Sequence, residues 1–410
     1  MDSYSVKDFK RKYSTELILL VLAFVVNRLF AGIDFVIGSN WSLFFGAVLV
    51  YISIVNKRIV SPFKSSDSSG RLLLVALLIA EFNALIIGNH FSFVWAVYFV
   101  VCSYLMYLIG DGFGREIQSG RQFIYLLLLF AVSVALPHII ITLIDIRMYG
   151  LINPMRQLQV LGDEVQMDTT ARAIELSLAI SGIAFLFYPA STKSDKRMKW
   201  LFIAFSVISE ICAIHYLSRT GYLLFGLSFV LGFLFYRLKP RAGTILILIT
   251  IAALIFVLWD AIQSSEIVAL FEDREVEEES SLATGGGRFD RWLRGLNGLF
   301  IYPFGDSVSK YYCHNLWLDF GRCFGFFPFL LLAVFSLKNL RYSVRLFRNP
   351  SIEMDLRFCV FLFSIVFFLC CFTECIHEGM PAYFFLYCMY CGIIASLYKR
   401  LRLHHFNSFQ

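Results

Sequence analysis

Long apolar blocks alternate with short polar segments along almost the whole chain. The blocks are about 17–23 residues long, the length with which a helix crosses a hydrocarbon core of roughly 30 Å. The pattern therefore predicts an all-α polytopic membrane protein that forms one integral membrane domain over residues 1–410. We predict twelve transmembrane helices, at about 17–37, 40–56, 72–89, 91–109, 122–144, 172–190, 199–217, 220–237, 243–262, 314–337, 356–376 and 381–398.

The composition supports this class of protein. Of the 410 residues, 58% are hydrophobic and 16% are charged, whereas a soluble domain carries about 25% charged residues. A net charge of +6 would suggest nucleic acid as a partner of a soluble protein. Here it follows from the placement of basic residues around the bilayer, and no nucleic acid is expected. The ten cysteines show no disulfide or metal spacing, and we expect neither a metal nor a cofactor.

The basic residues predict which helix ends face the cytoplasm. With the N-terminus inside, 25 of the 36 Lys and Arg residues fall on inner segments, and most outer connections are nearly free of them. Lys and Arg are enriched in cytoplasmic segments of membrane proteins. The sequence therefore predicts that both termini are cytoplasmic.

Two outer connections are long, at about 145–171 and 263–313. Loops beyond about 12–15 residues are commonly functional, so we expect any chemistry on this periplasmic face. From Arg288 onward, apolar residues recur at helical spacing and predict an amphipathic interfacial helix at about 288–300. Gly287 directly precedes it, and glycines ahead of a helix N-terminus favour the binding of an anion. The alternative is a surface helix whose arginines only reach toward the headgroups.

Two further segments place candidate residues at the outer rim. Arg219 lies in a short connection between two apolar blocks, where an arginine is costly unless it is paired or functional. His314 and Asn315 lie where the second long loop returns to the bilayer, and a histidine there can act as a base near neutral pH. The alternatives are an interfacial anchor for Arg219 and a structural role for His314. Asp319 and Arg322 lie one turn apart and can pair.

Three motifs follow one another along the chain: S-R-T-G at residues 218–221, G-R-F-D-R-W at residues 287–292, and H-N at residues 314–315 ahead of a Gly-containing apolar helix. Together they resemble the O-antigen polymerase (Wzy) and O-antigen ligase superfamily of integral membrane glycosyltransferases, which is related to the GT-C group. The segment from Arg147 is similar to the family's earlier outer loop. The resemblance covers roughly residues 145–337. In one departure, Cys323 stands where many members have a carboxylate, nine residues after the histidine.

The resemblance implies a multi-pass enzyme of the bacterial inner membrane that uses an undecaprenyl-pyrophosphate-linked oligosaccharide and works with a chain-length regulator. Arg219 and Arg288 would hold the pyrophosphate, with Arg291 or Arg147 assisting, because positioned cations stabilise the charge of the leaving group. His314 would orient or deprotonate the acceptor hydroxyl. Three more residues are expected at the substrate: Gly287, Asn315 and Asp319.

Two other functions stay open. An O-antigen ligase would transfer the glycan to lipid A-core, and nothing in the sequence identifies the acceptor; polymerase is favoured only because strain-specific polymerases are the more numerous class. A lipid-linked oligosaccharide flippase or other transporter would bind its substrate near the midplane of the membrane. Arg28, Glu81 and Glu210 lie inside predicted spans and would suit such a site. The other candidate Arg and His residues lie at the outer rim, which favours the enzyme.

Overall fold

The computed structural model describes residues 6–30, 35–55, 68–87, 93–151, 169–237, 288–306, 312–374, 376 and 380–407. Within these ranges the regular secondary structure is entirely helical. The elements are α1 (Val6–Phe30), α2 (Phe35–Val55), α3 (Ser68–Ile87), α4 (Phe93–Glu116), α5 (Gly120–Tyr149), α6 (Thr169–Glu175), α7 (Ser177–Ile180), a 3₁₀ helix (Ser181–Phe187), α8 (Lys193–His215), α9 (Arg219–Arg237), α10 (Arg288–Ile301), α11 (Leu316–Phe324), α12 (Phe326–Arg348), α13 (Met354–Thr373) and α14 (Pro381–Asn407).

Six of the described helices are long and apolar enough to cross a membrane, judged by length and composition: Ser68–Ile87, Gly120–Tyr149, Lys193–His215, Arg219–Tyr236, Met354–Thr373 and Pro381–Leu401. These helices support a helical membrane protein. The count of twelve spans and the cytoplasmic location of the termini stay predictions. The predicted span 243–262 and the loop segments 152–168 and 263–287 lie outside the described residues.

The chain divides into two compact units. The terminal unit comprises Met1–Pro137 and Arg291–Gln410, and the middle unit comprises His138–Asp290. In the terminal unit, the backbones of α4 and α14 approach each other at two glycines. A Cβ on Gly110 would lie 2.0 Å from the Met389 carbonyl oxygen, and one on Gly114 would lie 2.5 Å from that of Ile393. Small residues allow this close approach between membrane helices.

Residues predicted to face the cytoplasm meet at one end of the terminal unit. Lys12 of α1 donates a hydrogen bond to Glu116 at the end of α4, at 2.8 Å. Arg400 of α14 donates to the carbonyl oxygen of Arg115, at 2.9 Å. The predicted inner ends of these three helices therefore lie together, while the side of the membrane on which they lie stays a prediction.

The predicted span 172–190 is not one continuous α-helix. It is divided into α6, α7 and the 3₁₀ helix. Serine hydroxyls bind carbonyl oxygens in this segment: Ser181 donates to Leu178, at 2.7 Å, and Ser206 of α8 donates to Ile180. Such side-chain hydrogen bonds satisfy carbonyl groups outside the regular α-helical pattern. The segment can therefore change from α-helix to 3₁₀ helix without leaving these carbonyl groups unpaired.

The predicted span 314–337 is also interrupted, because α11 ends and α12 begins at Gly325. This glycine has φ +96°, and a Cβ on it would lie 2.3 Å from the carbonyl oxygen of Pro303. The N–H of Phe326 donates to that same oxygen at 2.9 Å. Only glycine takes this conformation and this close approach without strain. α11 is therefore a separate short helix, and the loop before it forms the site described next.

Candidate functional site

Asp319 shapes the loop that carries His314. Asp319 lies in the first turn of α11 and is fully buried. Its carboxylate accepts hydrogen bonds from the backbone N–H groups of Cys313, at 2.6 Å, and Asn315, at 3.0 Å. The Nε atom of Arg322 lies 3.7 Å from the same carboxylate. Both oxygens thus contact the protein's own backbone, which gives Asp319 a positioning role. The substrate contact expected from the sequence stays a prediction.

Asn315 joins the start of α11 to the end of α13. Its side-chain oxygen accepts a hydrogen bond from the N–H of Leu318, at 3.2 Å, as an N-cap residue does. Its amide nitrogen donates to the carbonyl oxygen of Phe372 on α13, at 3.2 Å. Asn315 therefore has a structural role, because both polar ends of its side chain form hydrogen bonds within the protein. The substrate contact expected for it stays a prediction.

His314 faces a carboxylate that comes from α13. Its Nδ1 atom lies 3.5 Å from Oε2 of Glu374, the residue that ends this helix. The side chain of Glu374 is 2% exposed, whereas that of His314 is 25% exposed. His314 has φ +50°, a left-handed conformation that is uncommon for residues other than glycine and recurs at functional sites. The backbone therefore holds a partly exposed imidazole next to a buried carboxylate.

This arrangement suits a general base. A proton on Nδ1 points toward Glu374 and leaves the lone pair of Nε2 free to accept another proton. The carboxylate then holds the ring in place and stabilises the imidazolium that forms. Nδ1 of His314 is buried without a hydrogen-bond partner, so the exposed part of the ring lies elsewhere. Catalytic hydrogen bonds often tighten only when substrate is bound, which suits a distance of 3.5 Å.

Sequence reasoning did not identify Glu374, because a contact between distant segments leaves no local pattern. The one available signal is that Glu374 is an acid at the end of an apolar run, in F-T-E-C at residues 372–375. The position nine residues after His314 holds Cys323, which is buried. The carboxylate at the histidine thus comes from another helix.

Aromatic side chains lie beside the loop that carries His314. Trp292 of α10 packs on Phe372 with ring centroids 4.8 Å apart, and its Nε1 is buried with no hydrogen-bond partner within the described part of the chain. Tyr312 is 48% exposed, and the guanidinium of Arg322 lies 5.8 Å from its ring centroid. Aromatic walls with a few convergent polar groups are typical of small-ligand sites.

The S-R-T-G motif has a local structural explanation for two of its residues. The hydroxyl of Ser218 accepts a hydrogen bond from the N–H of Gly221, at 3.2 Å, and so caps α9. Gly221 lies where a Cβ would be 2.8 Å from the Cβ of Ala213 on α8. Arg219 is the first residue of α9 and is half-buried. It is the charged residue of the motif. It lies in the middle unit.

The remaining predicted cations are also placed. Arg147 is exposed near the end of α5, and Arg288 and Arg291 are half-buried in the first turn of α10. Gly287 lies outside the described residues. Arg147 and Arg288 belong to the middle unit, whereas Arg291 and His314 belong to the terminal unit. That all these residues bind one substrate stays a prediction.

Sequence analysis did not identify seven buried polar residues of the middle unit, which we call the buried network: His138, Thr142, Asp145, Arg172, Glu175, His215 and Tyr216. The first three lie on one face of α5, since their spacing is that of successive helical turns. This polar stripe inside an apolar segment is the signal from which the sequence could have predicted the site. Polar and charged residues at such positions in membrane helices mark functional sites.

The buried network contains two histidine–carboxylate pairs. Nε2 of His138 bonds to Glu175, and Nδ1 of His138 lies 3.2 Å from the guanidinium of Arg172. In the second pair, Nε2 of His215 lies 2.7 Å from Oδ2 of Asp145.

A hydrogen bond between two hydroxyls completes the buried network. The Thr142 hydroxyl bonds to the Tyr216 hydroxyl, and it also donates to the carbonyl oxygen of His138. The Tyr216 side chain is fully buried, so its hydroxyl acts as a neutral hydrogen-bonding partner. Within the described residues, no group of three or more His, Cys, Asp or Glu side chains has an arrangement that could hold a metal ion.

Comparison with known proteins gives no match to any family model or to any curated protein. The family resemblance of the three motifs therefore remains an expectation from the sequence.

Proposed function

We propose that this chain is an integral membrane glycosyltransferase of the O-antigen polymerase type. It would transfer a glycan from undecaprenyl pyrophosphate onto a hydroxyl of a second lipid-linked repeat unit. The observation that supports this most directly is the pairing of His314, in a left-handed conformation, with the buried Glu374. Histidine oriented by a carboxylate is a recurrent general base.

The reaction needs one base and a stabilised leaving group. The acceptor oxygen forms a bond to the anomeric carbon, and its proton passes to Nε2 of His314. The bond from the anomeric carbon to the pyrophosphate oxygen breaks, and the pyrophosphate leaves with the electron pair. Arginines are suited to this leaving group because their planar fork binds phosphate oxygens in pairs. Arg219 and Arg288 are the candidates for this role.

The same chemistry serves an O-antigen ligase, which differs in its acceptor. A transporter or flippase is a second candidate from another class, and the buried network favours it. Chains of acidic and histidine residues within membrane helices form proton pathways in pumps and transporters. In this protein the acidic and histidine residues of the buried network lie on α5, α6 and the end of α8.

Deleting the gene and separating the surface glycan on a gel tests these alternatives. Loss of the ladder to core plus one repeat unit supports the polymerase. Core alone, with polymer accumulating on undecaprenyl pyrophosphate, indicates the ligase. Core alone, without polymer on undecaprenyl pyrophosphate, would indicate the flippase, and an unchanged ladder would refute both enzymes.

Variants returned to the deletion strain test the residues. We expect Arg288→Ala and His314→Gln to abolish polymer at unchanged protein level, and Glu374→Gln to reduce it. The matched control is Glu353→Gln, the same change at the other end of α13, where the carboxylate accepts from the N–H of Gly120 at 2.7 Å. Wild-type polymer from His314→Gln would rule out its role as base.

A further inference from the structure

The protonation of His138 follows from its two partners. The guanidinium of Arg172 has only donors, so Nδ1 of His138, 3.2 Å from it, accepts. A neutral histidine carries a single ring proton, which here is on Nε2 and is donated to the carboxylate of Glu175. This pair needs no proton beyond the one that every neutral histidine carries.

His215 has the opposite arrangement. Its Nδ1 lies 2.8 Å from the carbonyl oxygen of Leu151, which can only accept, so the ring proton is on Nδ1. Nε2 of a neutral His215 would then be an acceptor, and it lies 2.7 Å from Oδ2 of Asp145, which is also an acceptor when ionised. Two buried lone pairs at this distance repel each other unless a proton lies between them.

We infer that Asp145 and His215 form a buried proton-binding site, which holds one proton between Oδ2 and Nε2 in addition to the ring proton of the histidine. The site is independent of the proposed glycosyl transfer. The ligand is a proton alone, and the site joins α5, the turn at Leu151 and the end of α8. Binding and release of the proton leave all covalent bonds unchanged.

Charged and titratable groups of several helices surround the site. α6 contributes Arg172 and Glu175, whose charges cancel. α5 contributes His138 and Thr142, and α8 contributes Cys212, whose thiol interacts with Thr142. Tyr216, directly after α8, interacts electrostatically with both Arg172 and Asp145. α9 begins at Arg219 and also contributes Tyr222, which interacts with Glu210 of α8.

With the proton in place, the buried network is neutral as a whole. Without it, the network carries one excess negative charge, and an unbalanced buried charge is costly. Raising the pH until the proton leaves should therefore loosen the contact between α5 and the end of α8. The His138–Glu175 pair is the internal comparison, because it carries no extra proton.

The protonation states can be read by nitrogen-15 NMR of the histidine-labelled full chain in lipid nanodiscs, together with infrared difference spectra for carboxylic acids. His138→Gln and His215→Gln assign the two sets of signals. At neutral pH we expect one protonated and one bare nitrogen in His138. For His215 we expect either two protonated nitrogens or a carboxylic-acid band that disappears in Asp145→Asn, according to which partner the proton is on.

Asp145→Asn is the sharpest variant, since the amide donates to Nε2 and removes the need for the extra proton. His215 should then show one protonated nitrogen at neutral and alkaline pH, and the thermal stability should lose its alkaline decline. A bare Nε2 in the wild type, without a carboxylic-acid band from Asp145, would overturn the inference. If the variant does not fold, the wild-type spectra at neutral and alkaline pH decide the question by the same criterion.

Discussion

Replacing Asp319 by Asn tests whether this carboxylate holds the loop before α11. The change preserves the shape of the side chain but turns one acceptor oxygen into an NH₂ group that faces a backbone N–H. In the wild type, the two oxygens accept hydrogen bonds from the backbone N–H groups of Cys313, at 2.6 Å, and Asn315, at 3.0 Å. A hydrogen bond to a charged group contributes roughly 1.5–3 kcal/mol. Losing one such bond and weakening the other should cost about 3 kcal/mol.

Hydrogen exchange of single amides measures this local stability. A cost of about 3 kcal/mol corresponds to roughly 100-fold faster exchange at the amides of Cys313 and Asn315, since every 1.4 kcal/mol is a factor of about ten. The control is Asp290→Asn, an exposed carboxylate on α10, which should leave both amides protected.

The result that would refute the reasoning is unchanged protection of both amides in Asp319→Asn. If polymer formation were lost at the same time, Asp319 would act on the substrate, as the sequence predicted. Faster exchange together with reduced activity would agree with a loop that positions His314.

Three further changes test the packing and the ends of helices. Gly110→Ala should destabilise the fold by about 1–3 kcal/mol or more, measured by thermal melting in detergent, because the new methyl would lie 2.0 Å from the Met389 carbonyl oxygen; an unchanged melting temperature would exclude this contact. Gly325→Ala should lower the melting temperature and the activity together, since the glycine has φ +96° and a Cβ would lie 2.3 Å from the Pro303 carbonyl oxygen. Thr192→Ala should cost about 0.5–2 kcal/mol, because Thr192 forms a capping box at the start of α8, and Thr192→Ser should retain most of the stability.

The sequence determined which segments are helical and apolar. A block of about 20 apolar residues has few alternatives to a membrane helix, because each backbone group must find its partner within the segment. The spacing of Trp292 and Leu299 likewise predicted a helix at about 288–300, and a helix is present at Arg288–Ile301. These features depend on neighbours along the chain, and periodicity reports such neighbours directly.

Tertiary structure decided which polar groups meet. Glu374 contacts His314, and Asp145 contacts His215, although each pair is far apart in the sequence. Hydropathy reports how apolar a segment is, whereas these contacts depend on how helices pack and on the direction of single hydrogen bonds. The break at Gly325 was missed for a related reason, since the apolar pattern continues through it and only the folded backbone shows that a left-handed residue is required there.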